Sequence, residues 1–585
     1  MRAGKDYLAS LGDARRVYMD GKLVGDVRKH PAFTGIISSI SKMYDYSSDT
    51  KNGMQFDTSW GGKGNKVFMI PRSREELRER HAAIYKWAML SRGFVGRSPD
   101  HVGAFLAGFA SNSKLFAREG RSFERNVEAF YEKVVSEDLY VSYAIIPPQN
   151  DRSKTAQGQE NKYSQVGVLE EREGGIIVRG SQMLATGTAV SDYVFISCIT
   201  PLKEGDEDYA LSFFLPVDTK GLKMYLRRPY SVDKTSVFDY PMSTRFDESD
   251  SFLVFDDVFV PWENIFVYRD IKGLQAQFFQ TYAHVLGNNQ AQIRLSAKVK
   301  FLVGIARKVT ATNGTDKIPS VVEKLGELAS LSAIVEGMVE ASEATSIHRE
   351  SGVETPNPRF LYGAMGLQAE LYPRVLHIMR DLVGAGVLQV PSSSLELTNP
   401  ETRKDMDDYI RSPGVSSEDR IKLFKLAWDV IGSEFAGRHH QYEMFYAGAP
   451  FVAKNYSFRN FGYEEALKSV DDFLGEYGLD TSVELWNPPG CIPPPRNHVL
   501  VFHWEMYQYR AQTSGAWIPC HSPRLSRESS PSGWGLCPHT GSIPLSPHHR
   551  IQIPSLPFFI PPYNSTDVSS PYSPRKSSTD FRASS

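Results

Sequence analysis

Three stretches of the chain hold side chains able to handle a proton, a negative charge or a bound ligand. The first is Gly96-Arg97-Ser98-Pro99-Asp100-His101. Ser98 before Pro99 has the form of an N-cap followed by proline at the first helical position, a place where a missing N–H costs nothing. Arg97 then stands at a helix start and His101 within its first turn, which suits anion binding and proton handling; a capped surface helix has the same spacing. The second is Tyr143 to Ser153, YAIIPPQNDRS. Two prolines end regular structure there, and Gln149, Asn150, Asp151 and Arg152 follow on a stiff junction, where ligands commonly bind. A plain linker has the same composition. The third is Gly432-Ser433-Glu434-Phe435-Ala436-Gly437-Arg438, read as lying inside a long helix. A glycine costs about 1 kcal/mol in a helix interior, so either tight helix packing or the close approach of a ligand or subunit is expected.

Other chemistries lack their residues. No strand–GxGxxG–helix and no GxxxxGK[ST] is present, so a self-contained nicotinamide or P-loop site is not expected. No Cys-x-x-Cys pair offers zinc or iron–sulfur ligands. His439 and His440 are adjacent, and neighbours on a helix point about 100° apart, so they do not face one ion; no metal is expected.

These stretches need elements to hold them. Residues 73 to 138 have helical patterning, residues 140 to 266 break into short β-rich runs, and helical periods return from about 272 to 446. Ile293, Ala297, Phe301, Ile305 and Val309 recur every fourth position, as one buried helix face does. A further helix spans about Ala364 to Leu388 with a break expected at Pro373, and the last opens with Ser416 and Asp419 in capping-box spacing. The expected class is α+β: a helical N-terminal domain (1–140), a β-barrel or sandwich (141–270) and a C-terminal helical bundle (271–480).

Composition narrows the partners. With 66 Lys+Arg against 68 Asp+Glu there is no basic excess to meet a phosphate backbone, so nucleic acid is not expected. No run reaches the roughly 20 apolar residues of a membrane span, and the first residues lack the apolar centre of a signal peptide. A cytoplasmic location is expected. Beyond residue 480 the texture changes: the last 65 residues hold 11 prolines and 16 serines, too few apolar groups to offset ordering entropy. Residues 481–585 are expected to be disordered or foreign to the folded protein.

Taken together, GRSPDH (96–101), IIPPQNDRS (145–153), GSQMLATGTAVSDYVFI (180–196), FDDVFVPWENIF (255–266) and WDVIGSEFAGRHHQYEMFYAG (428–448) resemble the oxygenase components of the 4-hydroxyphenylacetate 3-monooxygenase family, over about residues 3 to 475. The resemblance implies an acyl-CoA dehydrogenase-like fold with a four-helix bundle, usually assembled as a homotetramer. It implies FAD as the cofactor, delivered as FADH2 by a separate NAD(P)H-dependent reductase. Oxygen then reacts to a flavin C4a-hydroperoxide, which hydroxylates a phenol ortho to its hydroxyl. The substrate would be 4-hydroxyphenylacetate-like or tyrosine-derived.

By the same resemblance Arg97 lies near flavin and substrate. Gln149, Asn150, Asp151, Arg152, Thr186, Ser433, Phe435, Ala436, Gly437 and Arg438 contact the flavin, and Ser197 and Cys198 flank the substrate, although a single strand cysteine is more often core. In the family pattern a tyrosine stands at the place of His101 and a histidine at that of Tyr143; here the two types are exchanged. This departure leads to the expectation that His101 and Tyr143 face one phenol from opposite walls. His101 would accept the phenolic proton and Tyr143 donate, with Arg97 stabilising the phenolate. Two alternatives share the fold: an acyl-CoA dehydrogenase, for which no catalytic carboxylate is assignable, and a non-catalytic relative. A cysteine-ligated dehydratase is excluded, since Cys198 is the one cysteine before residue 480.

Overall fold

The computed structural model describes residues 1–117, 121–231, 236–446 and 448–479. The expectation about residues 481–585 therefore lies outside the described residues. Five helices dominate the N-terminal part: α1 (Gly4–Ser10), α2 (Pro31–Ser48), α3 (Arg74–Leu90), α4 (Pro99–Ser111) and α5 (Glu124–Glu137). Strands come in two groups. Early in the chain are β1 (Val17–Met19), β2 (Lys22–Val24), β3 (Gln55–Asp57) and β4 (Lys63–Asn65). The β-rich stretch then supplies β5 (Val141–Ala144), β6 (Gly167–Arg172), β7 (Gly175–Thr186), β8 (Tyr193–Ile196), β9 (Leu211–Pro216), β10 (Leu222–Leu226), β11 (Asp250–Pro261) and β12 (Ile265–Tyr268), with the short α6 (Ser243–Phe246) before β11.

Two larger sheets result, one ordered β2-β1-β10-β11-β7-β6 and the other β12-β9-β8-β5, while β3 and β4 pair only with each other. The strands β1 and β2, from the N-terminal part, complete the first sheet; β1 runs parallel to β10, pairing Val17 with Met224. Their turn is Asp20-Gly21, both at positive φ (51° and 72°), the geometry that a two-residue hairpin favours. Periodicity could not flag strands of three residues.

The C-terminal helices are α7 (Ile271–Gln280), α8 (Ala283–Thr312), α9 (Pro319–Ala344), α10 (Pro358–Val383), α11 (Pro400–Tyr409), α12 (Ser417–Ile431), α13 (Glu434–Phe445), α14 (Pro450–Arg459) and α15 (Tyr463–Gly475). Two boundaries differ from expectation. Pro373 does not break α10: Leu371, Tyr372, Val375 and Leu376 are buried on both sides of it, and that packing outweighs the lost hydrogen bond. The stretch 432–438 is not the inside of one helix. The chain leaves α12 at Gly432 and restarts with Ser433 as N-cap of α13, its Oγ accepting from Ala436 N at 3.1 Å and donating to the Asp429 carbonyl at 2.9 Å.

At the centre, α8 is buried on every side from Val285 to Val299, which marks a core helix rather than an amphipathic one. Yet it carries Arg294 and Lys298. Glu443 of α13 receives both Arg294 Nη atoms (2.6 and 2.8 Å), Lys298 Nζ (2.8 Å) and Gln368 Nε2 of α10 (2.8 Å). Arg294 also donates to the Gly93 carbonyl at 2.9 Å, and Lys298 to His439 Nδ1 at 3.1 Å. One carboxylate thus ties three helices to the loop ahead of α4. Burial alone would raise its pKa, but the two cations hold it at about 2.

Removing that carboxylate leaves two buried cations without compensation. Glu443→Gln is expected to lower stability at pH 7 by about 3 to 5 kcal/mol, read by urea unfolding. Because the folded carboxyl titrates below its ordinary 4.5, its contribution is complete above that value and fades as pH falls toward about 2. The variant should lack this part of the acid dependence.

Candidate active site

Arg97 is fixed by its backbone before its side chain does anything. Its N–H donates to Glu248 Oε1 at 2.6 Å and its carbonyl accepts from Tyr140 OH at 2.6 Å. The residue before it must be glycine, since a Cβ at Gly96 would lie 2.3 Å from Tyr442 OH. The guanidinium sits among three tyrosine rings, its carbon 4.8 Å from the centroid of Tyr446, 5.1 Å from Tyr143 and 5.2 Å from Tyr442. This is cation–π geometry in a water-poor setting. Ser98 takes the N-cap position of α4 as expected, but its hydroxyl donates to Asp100 Oδ1 rather than capping the helix.

His101 and Tyr143 do meet, although not across a gap. Tyr143 lies on β5 and His101 on α4, and their rings touch at 5.3 Å with a 33° tilt. Arg97 Nη1 donates to His101 Nε2 at 2.7 Å, and Nδ1 faces Gln290 Oε1 at 3.2 Å. The imidazole is fully enclosed, 1% exposed. Burial, and then the charge of Arg97, hold its pKa well below the usual 6.5. The acceptor nitrogen of the ring therefore already has a donor in Arg97.

The residues expected around a flavin come together through two carboxylates of the 246–251 turn and β11. Arg438 donates from Nη1 to Glu248 Oε2 (3.0 Å), and from Nη2 and Nε to Asp250 (2.8 and 3.1 Å). Thr186 Oγ1 donates to Asp250 Oδ1 at 2.6 Å, and Arg227 Nε to Oδ2 at 2.7 Å. Glu248 therefore joins Arg97 to Arg438, and Asp250 joins Arg438 to Thr186. Despite its burial Asp250 is held strongly ionised, with Arg438 and Arg227 as the opposing charges. Within the α12–α13 junction two glycines have different causes. A Cβ at Gly432 would run into the Trp428 ring at 2.3 Å, whereas at Gly437 it would meet open space. Phe435 and Ala436 are buried.

Gln149, Asn150, Asp151 and Arg152 form an exposed loop. Its start is pinned to β7 by Met183 N donating to the Ile146 carbonyl at 2.9 Å, close in sequence to Thr186. Asp151 organises the turn by accepting from Ser153 N and Oγ (3.0 and 2.6 Å). Ser197 and Cys198 follow β8. Ser197 Oγ accepts from Gln277 Nε2 at 2.9 Å, and its carbonyl from Gln182 Nε2 at 3.0 Å. Cys198 is buried, and burial pushes its thiol up to about 11. Phe105 and Phe278 lie between this end and His101, with ring contacts of 5.2 Å (His101–Phe105) and 5.8 Å (Phe105–Phe278).

Sequence reading missed Glu248, Asp250, Tyr442, Tyr446 and Gln290. The acidic run FDESDS (246–251) has the composition of a solvated turn, and nothing local marks its carboxylates as buried. Tyr442 on α13 and Tyr446 at its C-cap, one turn apart, were visible but read equally as core.

Residues 3–267 match the family 4-hydroxyphenylacetate 3-hydroxylase N terminal, and residues 274–475 its C-terminal counterpart. The 4-hydroxyphenylacetate 3-monooxygenase oxygenase component of Pseudomonas aeruginosa is 34% identical, covering 85% of this chain and 96% of the relative. A (3S)-3-amino-3-(3-chloro-4-hydroxyphenyl)propanoyl-[peptidyl-carrier protein] monooxygenase of Streptomyces globisporus is 34% identical, covering 76% and 84%. The crystal structure of a 4-hydroxyphenylacetate 3-monooxygenase oxygenase component complexed with FAD and 4-hydroxyphenylacetate superposes with a TM-score of 0.77 at 30% identity, covering 81% of this chain and 99% of that one. The fold is acyl-CoA dehydrogenase-like, mixing helices and sheet.

If Asp250 is the hub, its neighbours should rank below it. Asp250→Asn is expected to cost roughly 2 to 3 kcal/mol, the range for hydrogen bonds to charged groups, and Thr186→Val about 1 kcal/mol. Equal losses in urea unfolding would contradict the hub.

Proposed function

The chain belongs to the 4-hydroxyphenylacetate 3-hydroxylase family, and from that premise we propose that it is the oxygenase component of a two-component monooxygenase that hydroxylates a phenol ortho to its hydroxyl. The observation that carries the reading is the Arg97 guanidinium, half-buried among Tyr143, Tyr442 and Tyr446 beside a neutral His101. A fixed cation in a site of aromatic walls suits a flat phenolate.

FAD is the cofactor of this proposal. The residues fit it: Gly437 leaves open backbone at the start of α13, and Gln149–Arg152 form an exposed polar loop anchored beside Thr186. These, with Ser433, Phe435 and Ala436, would hold the flavin. Arg438 acts from behind, since its guanidinium is committed to Glu248 and Asp250. When bound in reduced form, FAD supplies the oxygen chemistry. The protein's own contributions are to bind, orient and keep water out. Arg97 favours the phenolate, so the phenolic proton is released as the substrate binds. Tyr143, against the same guanidinium, donates a hydrogen bond to the phenolate oxygen. Ser197 and Cys198 lie toward the para substituent, for which a 4-hydroxyphenylacetate-like or tyrosine-derived phenol is proposed.

Partners follow from the same reading. A separate NAD(P)H-dependent flavin reductase supplies FADH2, and the protein works in the cytoplasm; no helix among the described residues is long and apolar enough to cross a membrane. We also propose a homotetramer. The helix α15 buries none of its residues, yet shows Leu467, Val470, Phe473 and Leu474 more than half exposed, a stripe that calls for a cover.

Three measurements test these readings. With chemically reduced FAD and oxygen, or with NADH and any flavin reductase, the protein should convert a para-substituted phenol to its catechol; rapid NADH oxidation with no reductase would sink the proposal. Phenol affinity should rise with pH toward the phenol's own pKa of about 10, with no break near 6.5, because His101 does not titrate there. Leu467→Glu with Val470→Glu should reduce the mass seen by light scattering; an unchanged mass would rule out α15 as the assembly face.

A further inference from the structure

His101 has two distinct ring nitrogens, and which of them carries the proton decides what Arg97 can do. Shape does not fix that choice, and neither does it fix which end of a glutamine amide is oxygen. The surroundings do. Asp100, buried below α4's first turn, accepts from Ser98 Oγ on one oxygen and from Gln290 Nε2, at 3.1 Å, on the other. Gln290 comes from the enclosed half of α8 and is itself 1% exposed. Its Oε1 faces His101 Nδ1 at 3.2 Å, and His101 Nε2 faces Arg97 Nη1 at 2.7 Å.

Each end of this chain allows one polarity. A carboxylate only accepts, so the Gln290 amide must turn its NH2 to Asp100 and its carbonyl to His101. A carbonyl only accepts, so His101 must carry its proton on Nδ1. The lone pair is then on Nε2, and a guanidinium only donates. Read from Arg97 back to Asp100, the same assignment results. Burial raises the pKa of the Asp100 carboxyl, and the hydrogen bonds from Ser98 and Gln290, with the Arg80 charge, oppose that rise; the accepting end rests on those two donors.

We propose that Gln290 is a positioning residue for the hydroxylation: the relay Asp100–Gln290–His101 locks the imidazole as the Nδ1–H tautomer, so that Nε2 holds the Arg97 guanidinium against Tyr143, where the phenolate binds. Without the Gln290 carbonyl, the opposite tautomer becomes available. Its Nε2–H would point at an Arg97 N–H, two donors facing each other, and the guanidinium would swing from the site. No covalent step is involved; Gln290 acts through His101 and never touches substrate. The inference rests on the phenol-binding reading above.

The test uses the full chain. Solid-state NMR of the protein labelled with 15N-histidine, with His101 assigned by its loss in His101→Phe, reports the tautomer directly. The wild type is expected to show Nδ1–H; an Nε2–H or doubly protonated ring overturns the relay, and this reading needs neither flavin nor substrate. Gln290→Met keeps size without polar atoms. It is expected to mix the tautomers and to weaken binding of 4-nitrophenol, followed by its absorbance, by roughly 10-fold, a lost charge-linked hydrogen bond, while FAD affinity stays at the wild-type value. A Met variant that keeps the Nδ1–H tautomer overturns the inference, as does one that changes tautomer yet binds the phenol as the wild type does. If the Met variant does not fold, the wild-type spectrum alone decides. If the wild type binds no phenol, the functional reading fails, and the tautomer still reports on the relay.

Discussion

The constraint on which the structure turns is that the first half of α8 is wrapped by protein on all sides and still carries charged and amide side chains. Water cannot satisfy them, so each must find a partner on a neighbouring element. Arg294 and Lys298 find Glu443 of α13, Gln368 of α10 and the Gly93 carbonyl, and Gln290 finds Asp100 and His101. Packing by apolar surface alone tolerates sliding and repacking. These contacts do not, because a shift of one helix would leave buried charge unpaired.

This is how the bundle sets the site's geometry. The loop from Gly93 to Ser98 is held from below by Arg294, from the side by Tyr140 and Glu248, and by the close approach of Tyr442 to Gly96. Arg97 therefore emerges at one place with little freedom, a preorganised cation rather than a surface arginine. The same carboxylates, Glu248 and Asp250, anchor Arg438 and Thr186. The expected flavin side and the expected phenol side are thus mechanically continuous, one hydrogen bond apart at Glu248.

The presence of histidine at 101 acquires a meaning in that setting. A tyrosine beside Arg97 would offer a hydroxyl; a buried neutral imidazole offers a lone pair that engages the guanidinium instead. On the proposed reading the charge of the phenolate rests on Arg97, and not on an imidazole base.

Much of this was legible in the residues alone, and the divide follows from the range of the interactions. Local pattern marked the helical and β-rich segments, the start of α4 at Pro99, the capping of α12 by Ser416, and, through ordered motifs, the family. Such features depend on neighbours a few positions apart. Pro373 inside α10, the β1–β10 pairing and the break at Gly432-Ser433 depend on partners far along the chain or on packing, as with the Trp428 ring that only glycine admits. Burial is likewise a tertiary property. The sequence shows that Glu248, Asp250, Gln290 and Glu443 are polar, but not that they are enclosed. Their enclosure decides which of them stays ionised, which tautomer His101 adopts and where Arg97 points.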